Sequence, residues 1–284
     1  LAIYAGELFP QLEAETDLST GYRVTGGYWL ARAPDRLDEL HRIAALGRHF
    51  GLSAEVIGPG EVGVPGLDLS GHLGALRVAE DANVNPVDLC MAYARAAKMG
   101  GATIETHCMV TETNQRSDGT WDVVTDKGTI HTEHLINAGG LWAREVGAMA
   151  GVYFPLHPME HQYLVTEDVP MIVDMMKDGI EHPHVMDPAG ESYLRQEGKG
   201  LCIGFYEQTC RPWAVDGTPW SFGQDLLQDD FDKIEDSIAF AYKRFPDLER
   251  AGVKNVIHGP FTFAPDGNPL VGPVPGMRGP TARS

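Results

Sequence analysis

The stretch Leu135-Ile136-Asn137-Ala138-Gly139-Gly140-Leu141-Trp142-Ala143-Arg144-Glu145-Val146-Gly147 decides how this chain is read. An apolar run that ends in small residues and opens a helical run through Ala150 predicts a strand-turn-helix. The missing side chains of Gly139 and Gly140 let a nucleotide approach the backbone at the carboxyl end of a sheet, where helix N-terminal amides favour phosphate. Read by itself, the same segment is equally a glycine-rich turn in an ordinary α/β unit.

Working backwards from it, the runs Val110 to Asn114, Thr120 to Asp126 and Thr129 to Ile136 alternate and are parted by Ser117-Asp118-Gly119 and Asp126-Lys127-Gly128. Gly-bearing turns between alternating runs predict an antiparallel meander. A short strand is predicted over Ala102 to His107. Before it, Asn85-Pro86 opens an apolar stripe of Val87, Cys90, Met91 and Ala94 that Gly100-Gly101 closes. A cap, a first-turn proline and a glycine stop together define a helix. Further back, Leu37, Leu40, Ile43, Ala44, Gly47 and Phe50 recur at helical spacing behind Pro34, and Ser53 to Ile57 reads as a strand. This order is that of the back part of a dinucleotide-binding domain.

Beyond Gly151 the texture changes. His161 to Thr166, Glu191 to Gln196 and Leu201 to Tyr206 are β-like runs bounded by Pro or Gly, which predicts the sheet of a second domain. One helix stands out, with the stripe Phe231, Ile234, Ile238, Ala241 and Phe245, acidic residues in its first turn and Pro246 at its stop. There is no internal repeat and no low-complexity tract.

Three further constellations could carry chemistry. In Pro158-Met159-Glu160-His161-Gln162-Tyr163 the alternation puts His161 and Tyr163 on one face and Gln162 on the other, as in a pocket wall; a histidine satisfied by a structural neighbour is the alternative. In Tyr193-Leu194-Arg195 a phenol and a guanidinium share a face, a combination suited to a carboxylate, although surface salt bridging explains the arginine as well. Gly259 to Pro273 reads as a strand running into a rigid turn at Pro265-Asp266-Gly267, whose amides face a planar ligand or serve a purely structural turn. His157, His161, His182 and His184 show no i, i+4 pair, so no metal site is expected. Cys90, Cys108, Cys202 and Cys210 form no C-x-x-C pair and lack a nucleophile's setting; they read as reduced thiols, mostly core filling.

Forty acidic residues against 22 basic ones give a net charge of -18, which repels nucleic acid and leaves no Lys/Arg cluster to track phosphates. No apolar stretch is long enough to cross a bilayer, so no membrane is expected. The chain opens on Leu1 within what reads as a helix and stops abruptly at Gly279 to Ser284, so it is expected to be truncated at both ends and to hold no targeting information. Few cysteines favour a reducing interior, cytoplasm or mitochondrial matrix.

Taken together, the chain resembles the dimethylglycine and sarcosine dehydrogenase group of D-amino-acid-oxidase-like flavoproteins. The resemblance rests on Leu12-Glu13-Ala14-Glu15-Thr16, Ser117 to Val123, Asn137 to Gly147, His161-Gln162-Tyr163, Tyr193 to Glu197, and Gly259-Pro260 through Gly272-Pro273. It implies a mixed α/β protein with an FAD-binding domain of the glutathione-reductase type and an antiparallel-sheet substrate domain. Residues 1–155 and 259–284 would belong to an incomplete FAD domain and 156–258 to the substrate domain.

It also implies oxidation of an N-methyl amino acid, dimethylglycine to sarcosine, by hydride transfer to flavin, with a sarcosine dehydrogenase or related N-methyl amine oxidase as the alternative. The iminium formed is hydrolysed to formaldehyde or passed to tetrahydrofolate. By the resemblance, Val110, Ala138, Gly139, Gly140, Trp142, Pro265, Asp266 and Gly267 would contact FAD. His161 and Tyr193 would be catalytic, and Tyr163 and Arg195 would join them in holding the substrate. The implied electron acceptor is an electron-transfer flavoprotein or oxygen.

The chain departs from the group's pattern in lacking its Gly-x-Gly-x-x-Gly turn and the Trp-His pair that carries the flavin covalently, both expected upstream of Leu1. The glycine-rich closing segment and the folate-binding domains of larger members are also missing, so folate coupling is not assigned to these residues. A non-catalytic flavoprotein-like binding module is the reading from a different class.

Overall fold

The structure, a computed structural model, describes residues 2–206 and 209–277; the expected abrupt end at Gly279 to Ser284 lies outside them. The chain first forms α1 (Ala2–Thr16), β1 (Arg23–Val24), β2 (Gly27–Ala31), α2 (Pro34–His49), β3 (Ala54–Ile57), β4 (Gly74–Val78), β5 (Ala82–Asn83) and α3 (Pro86–Met99). Pro34 sets the first turn of α2, which buries Leu40 and Ala44 against Ala31, Ala54 and Leu76, while Phe50 stays exposed. At the start of α3 the Asn85 side chain accepts from the Val87 and Asp88 amides, as its sequence demands. The expected stripe is turned outward, however: Val87, Cys90 and Met91 are exposed and Ala92 is buried, because α3 packs against α1.

The meander follows as expected, with β6 (Val110–Gln115), β7 (Trp121–Thr125) and β8 (Gly128–Thr132) in the order β6-β7-β8. The two strands predicted on its flanks do not form. A strand needs partners for its backbone N–H and C=O groups, and among the described residues neither 102–107 nor 133–138 has a ladder to join.

Beyond a short turn at Gly140–Trp142 come α4 (Ala143–Met149), β9 (His157–Thr166), α5 (Pro170–Lys177), β10 (His184–Asp187), β11 (Ser192–Glu197), β12 (Gly200–Phe205), α6 (Phe231–Arg244) and β13 (Val253–Phe263). The main sheet has the order β13-β9-β12-β11-β10-β2-β4-β3. It is mixed. β9, β12, β11 and β10 pair antiparallel, β10 meets β2 in parallel, and β2, β4 and β3 are again antiparallel. The early strands thus extend the sheet that the later ones begin.

Asp230 caps α6 by accepting from the Lys233 amide, and Pro246 follows its end. Ile234 and Ala241 of its stripe, followed by Phe245 and Leu248, pack with Leu30, Leu164, Val185, Ile203 and Phe205 of the sheet. Each such side chain contributes about 1.5–3 kcal/mol when fully buried. Phe231, expected in the stripe, is 45% exposed at the first position of the helix.

The chain divides into two compact units. The first comprises 1–104, 162–209 and 228–258; the second comprises 105–161, 210–227 and 259–284.

Candidate functional site

In the first unit, alternation along β11 buries Ser192 and Leu194 and leaves Tyr193 and Arg195 on the other face, as period two requires. The register sets Tyr193 opposite Met186 of β10 and Gly204 of β12, and Gly204 is in turn opposite Tyr163 of β9. Tyr163, Gly204 and Tyr193 therefore lie in one row across three strands. The Tyr193 ring lies over Gly204 so closely that a Cβ there would overlap ring atoms and the hydroxyl. The ring also meets His184 at 5.9 Å and Tyr206 at 5.6 Å between centroids.

The electrostatics of this cluster follow from burial. Burial, and then the neighbouring Cys202 and Tyr206, pushes the Tyr193 phenol well up, so it stays a hydrogen-bond donor across the neutral range. Burial also raises Tyr163. His184 is lowered to about 4 by burial first and the Arg195 charge second, so its imidazole is neutral at pH 7. Arg195 Nη1 donates to a Glu197 carboxylate oxygen at 2.6 Å and to the Gln196 carbonyl at 3.2 Å. A phenol donor and a guanidinium on one strand face are suited to a carboxylate.

In the second unit, His161 stands on β9 with its imidazole against two rings, Phe261 at 6.1 Å and Phe263 at 5.4 Å. Cys210 Sγ is 3.2 Å from His161 Nε2. The deciding glycine segment keeps its turn though it lacks its strand. The Gly139 amide donates to Asn137 Oδ1 at 3.0 Å, Asn137 Nδ2 donates to the Ala143 carbonyl at 2.8 Å, and Gly140 adopts a φ of +53°. Trp142 Nε1 donates to the Pro219 carbonyl at 3.0 Å. Glu145 accepts from the Thr218 amide at 2.8 Å and from Arg144; burial pushes its carboxyl up, but these donors outweigh it and hold it below the usual carboxylate range. α4 packs on β6, where Val110 pairs with Thr125.

Past β13, the Gly267 amide donates to the Ala264 carbonyl at 3.0 Å, with Pro265 and Asp266 as the central turn residues. Asp266 Oδ1 accepts from the Asn268 amide at 3.0 Å. Proline at the second and glycine at the fourth position are what a type I turn prefers. A Cβ added at Gly140 or Gly267 would meet nothing within 4 Å, whereas Gly139 is packed against Asn137 and Ala143. The backbone at Gly140 and at Gly267 is therefore open on the side where a side chain would stand.

Of the residues singled out from sequence, Tyr163, Tyr193 and Arg195 share the first unit; His161, Val110, Ala138, Gly139, Gly140, Trp142, Pro265, Asp266 and Gly267 share the second. Sequence reasoning missed Gly204, His184, Tyr206 and the pairing of Cys210. Only Gly204 had a signal, as a glycine inside an apolar strand. Among the described residues no group of three His, Cys, Asp or Glu could hold a metal ion, and no helix is long and apolar enough to cross a membrane.

The family model described as FAD dependent oxidoreductase matches residues 1–281. The chain is 36% identical over 279 residues to the mitochondrial dimethylglycine dehydrogenase of Mus musculus, covering 96% of this chain and 32% of that protein. To the mitochondrial sarcosine dehydrogenase of Mus musculus it is 36% identical over 275 residues, covering 94% and 29%. The chain thus spans about a third of the length of these relatives. Among solved structures, L-proline dehydrogenase from P. horikoshii matches with a TM-score of 0.81 at 24% identity, covering 96% of this chain and 69% of that one; this is a likeness of fold.

Proposed function

Because the chain belongs to the family of FAD dependent oxidoreductases, we propose that the whole protein oxidatively demethylates an N-methyl amino acid, dimethylglycine to sarcosine. What carries the reading is the 36% identity, over nearly the whole chain, to one dehydrogenase named for dimethylglycine and one named for sarcosine. Bound FAD would supply the acceptor of the hydride. Val110, Ala138, Gly139, Gly140, Trp142 and the turn Pro265-Asp266-Gly267 are the residues proposed to hold it, the open backbones of Gly140 and Gly267 being the observation that supports the proposal.

The remaining work falls to side chains. Hydride leaves a carbon next to nitrogen only when the amine lone pair is free, so the amine has to be neutral and aligned. We assign to His161 the acceptance of the ammonium proton. To Tyr193, Arg195 and Tyr163 we assign the substrate: the Tyr193 phenol, protonated by virtue of its burial, and the Arg195 guanidinium donate to the amino-acid carboxylate. Water then adds to the iminium carbon and formaldehyde leaves. An electron-transfer flavoprotein or oxygen takes the electrons onward, in the mitochondrial matrix or the cytoplasm.

The test is anaerobic addition of dimethylglycine to the complete FAD-loaded protein, followed by visible absorbance. Dimethylglycine bleaches the flavin absorbance faster than sarcosine does, and His161→Ala slows bleaching by about 10²-fold with FAD content unchanged. Faster bleaching by sarcosine moves the substrate to sarcosine. Unchanged rates in His161→Ala remove that residue from its role, and a complete protein that takes up no FAD returns the chain to a non-catalytic flavoprotein-like module.

A further inference from the structure

Cys210 has no part in the chemistry proposed above, yet its sulfur is held at the imidazole of His161. Sγ is 3.2 Å from Nε2 and 3.9 Å from Nδ1. At that separation a thiol donates its proton to Nε2, or, once the proton has moved, the imidazolium N–H donates to the thiolate. Backbone register holds the pair together. The Glu160 amide donates to the Arg211 carbonyl at 2.9 Å, the Trp213 amide donates to the Pro158 carbonyl at 2.9 Å, and Met159 and Pro212 form an antiparallel bridge. The segment carrying Cys210 is thus tied alongside the start of β9, which carries His161.

Phe261 and Phe263 of β13 lay their rings against the imidazole; among the described residues of the two tied segments Glu160 and Arg211 pair at 3.6 Å, with the Arg211 side chain 61% exposed, and the titratable His157 opens β9. Cys210 itself is partly exposed, unlike the buried Cys202.

We propose that Cys210 and His161 form a thiol–imidazole pair in which Cys210 is a covalent modification site for small uncharged carbon electrophiles. In the reaction the thiol proton passes to His161 Nε2, the sulfur forms a bond to the electrophilic carbon, and the leaving group departs with its electron pair. With iodoacetamide the products are the carboxamidomethyl thioether and iodide. An ordinary cysteine is only about 3% thiolate at pH 7, whereas a thiol activated to about half thiolate gains about threefold in rate after the lower nucleophilicity of the more acidic thiol is allowed for.

The experiment treats the full chain with limiting iodoacetamide from about pH 5 to about pH 9. Peptide mass spectrometry follows labelling of Cys210 and, as the internal reference, of the exposed Cys90. Cys210 is expected to label about threefold faster than Cys90 at neutral pH and to keep its rate further into acid. His161→Gln and His161→Asn each bring it down to the Cys90 rate. Labelling of Cys210 no faster than Cys90, or a rate that both histidine variants leave unchanged, overturns the proposal. If the variants fail to fold, the wild-type ratio and its pH profile still decide. The readout is labelling and not turnover, so it stands apart from the proposed demethylation.

Discussion

Gly204 is where the sheet makes room for Tyr193. Adding a single methyl group there forces the phenol off its seat, and overpacking of this kind costs about 1–3 kcal/mol. Gly204→Ala should therefore destabilise the protein by that amount in urea unfolding, and the double variant Gly204→Ala with Tyr193→Ala should lose about 1 kcal/mol less than the two single losses added together. Strict additivity would mean that the ring does not rest on Gly204. The faces of Tyr193 and Arg195 could be read from the sequence, because a strand has period two and its neighbours fix which side is buried. The partner of His161 could not: Cys210 lies 49 positions away and reaches it only through a strand pairing that no local pattern announces.

Elements are joined by a buried ion pair that no periodicity signals. Arg244, at the end of α6, sets its Nε 3.3 Å from Asp187 Oδ2 at the end of β10, and its Nη1 donates to the Asp68 carbonyl at 2.8 Å. Both side chains are nearly solvent-free, with Arg244 2% and Asp187 5% exposed. Burial pushes the Asp187 carboxyl up, but His72, Arg244 and the Gly190 amide outweigh it, so the pair is ionised. Removing one partner leaves the other charge buried: Asp187→Asn should cost about 3–5 kcal/mol in chemical denaturation. Asp187→Leu with Arg244→Met should cost much less than that, and an equally large loss would show that something other than the stranded charge is responsible. Helices α2, α3 and α6 were legible because caps, prolines and glycines mark their ends locally. Strands β2, β4 and β10 were not, since short apolar runs look alike in helix and strand. The segments 102–107 and 133–138 were misread because strand propensity says nothing about whether a ladder is there to join.

For the whole molecule, acid is the informative stress. His184 is neutral in both states at high pH; on acidification the unfolded chain takes up its proton near the ordinary 6.5, the folded chain only near 4. Between those values the unfolded state binds more protons, so stability falls with pH, by up to about 3 kcal/mol from this group, and loses nothing further from it below 4. His184→Gln should flatten the fall in urea midpoints through that window; an unaltered fall would assign it elsewhere. The mixed α/β class and the family were legible at this scale because several ordered segments agree; the division into units depends on contacts between distant stretches. That division bears on inheritance. The chain passes from one unit to the other between 104 and 105, 161 and 162, 209 and 210, 227 and 228, and 258 and 259. Any contiguous piece of gene that carries the whole of one unit also carries part of the other. A single contiguous exchange therefore cannot carry either unit alone.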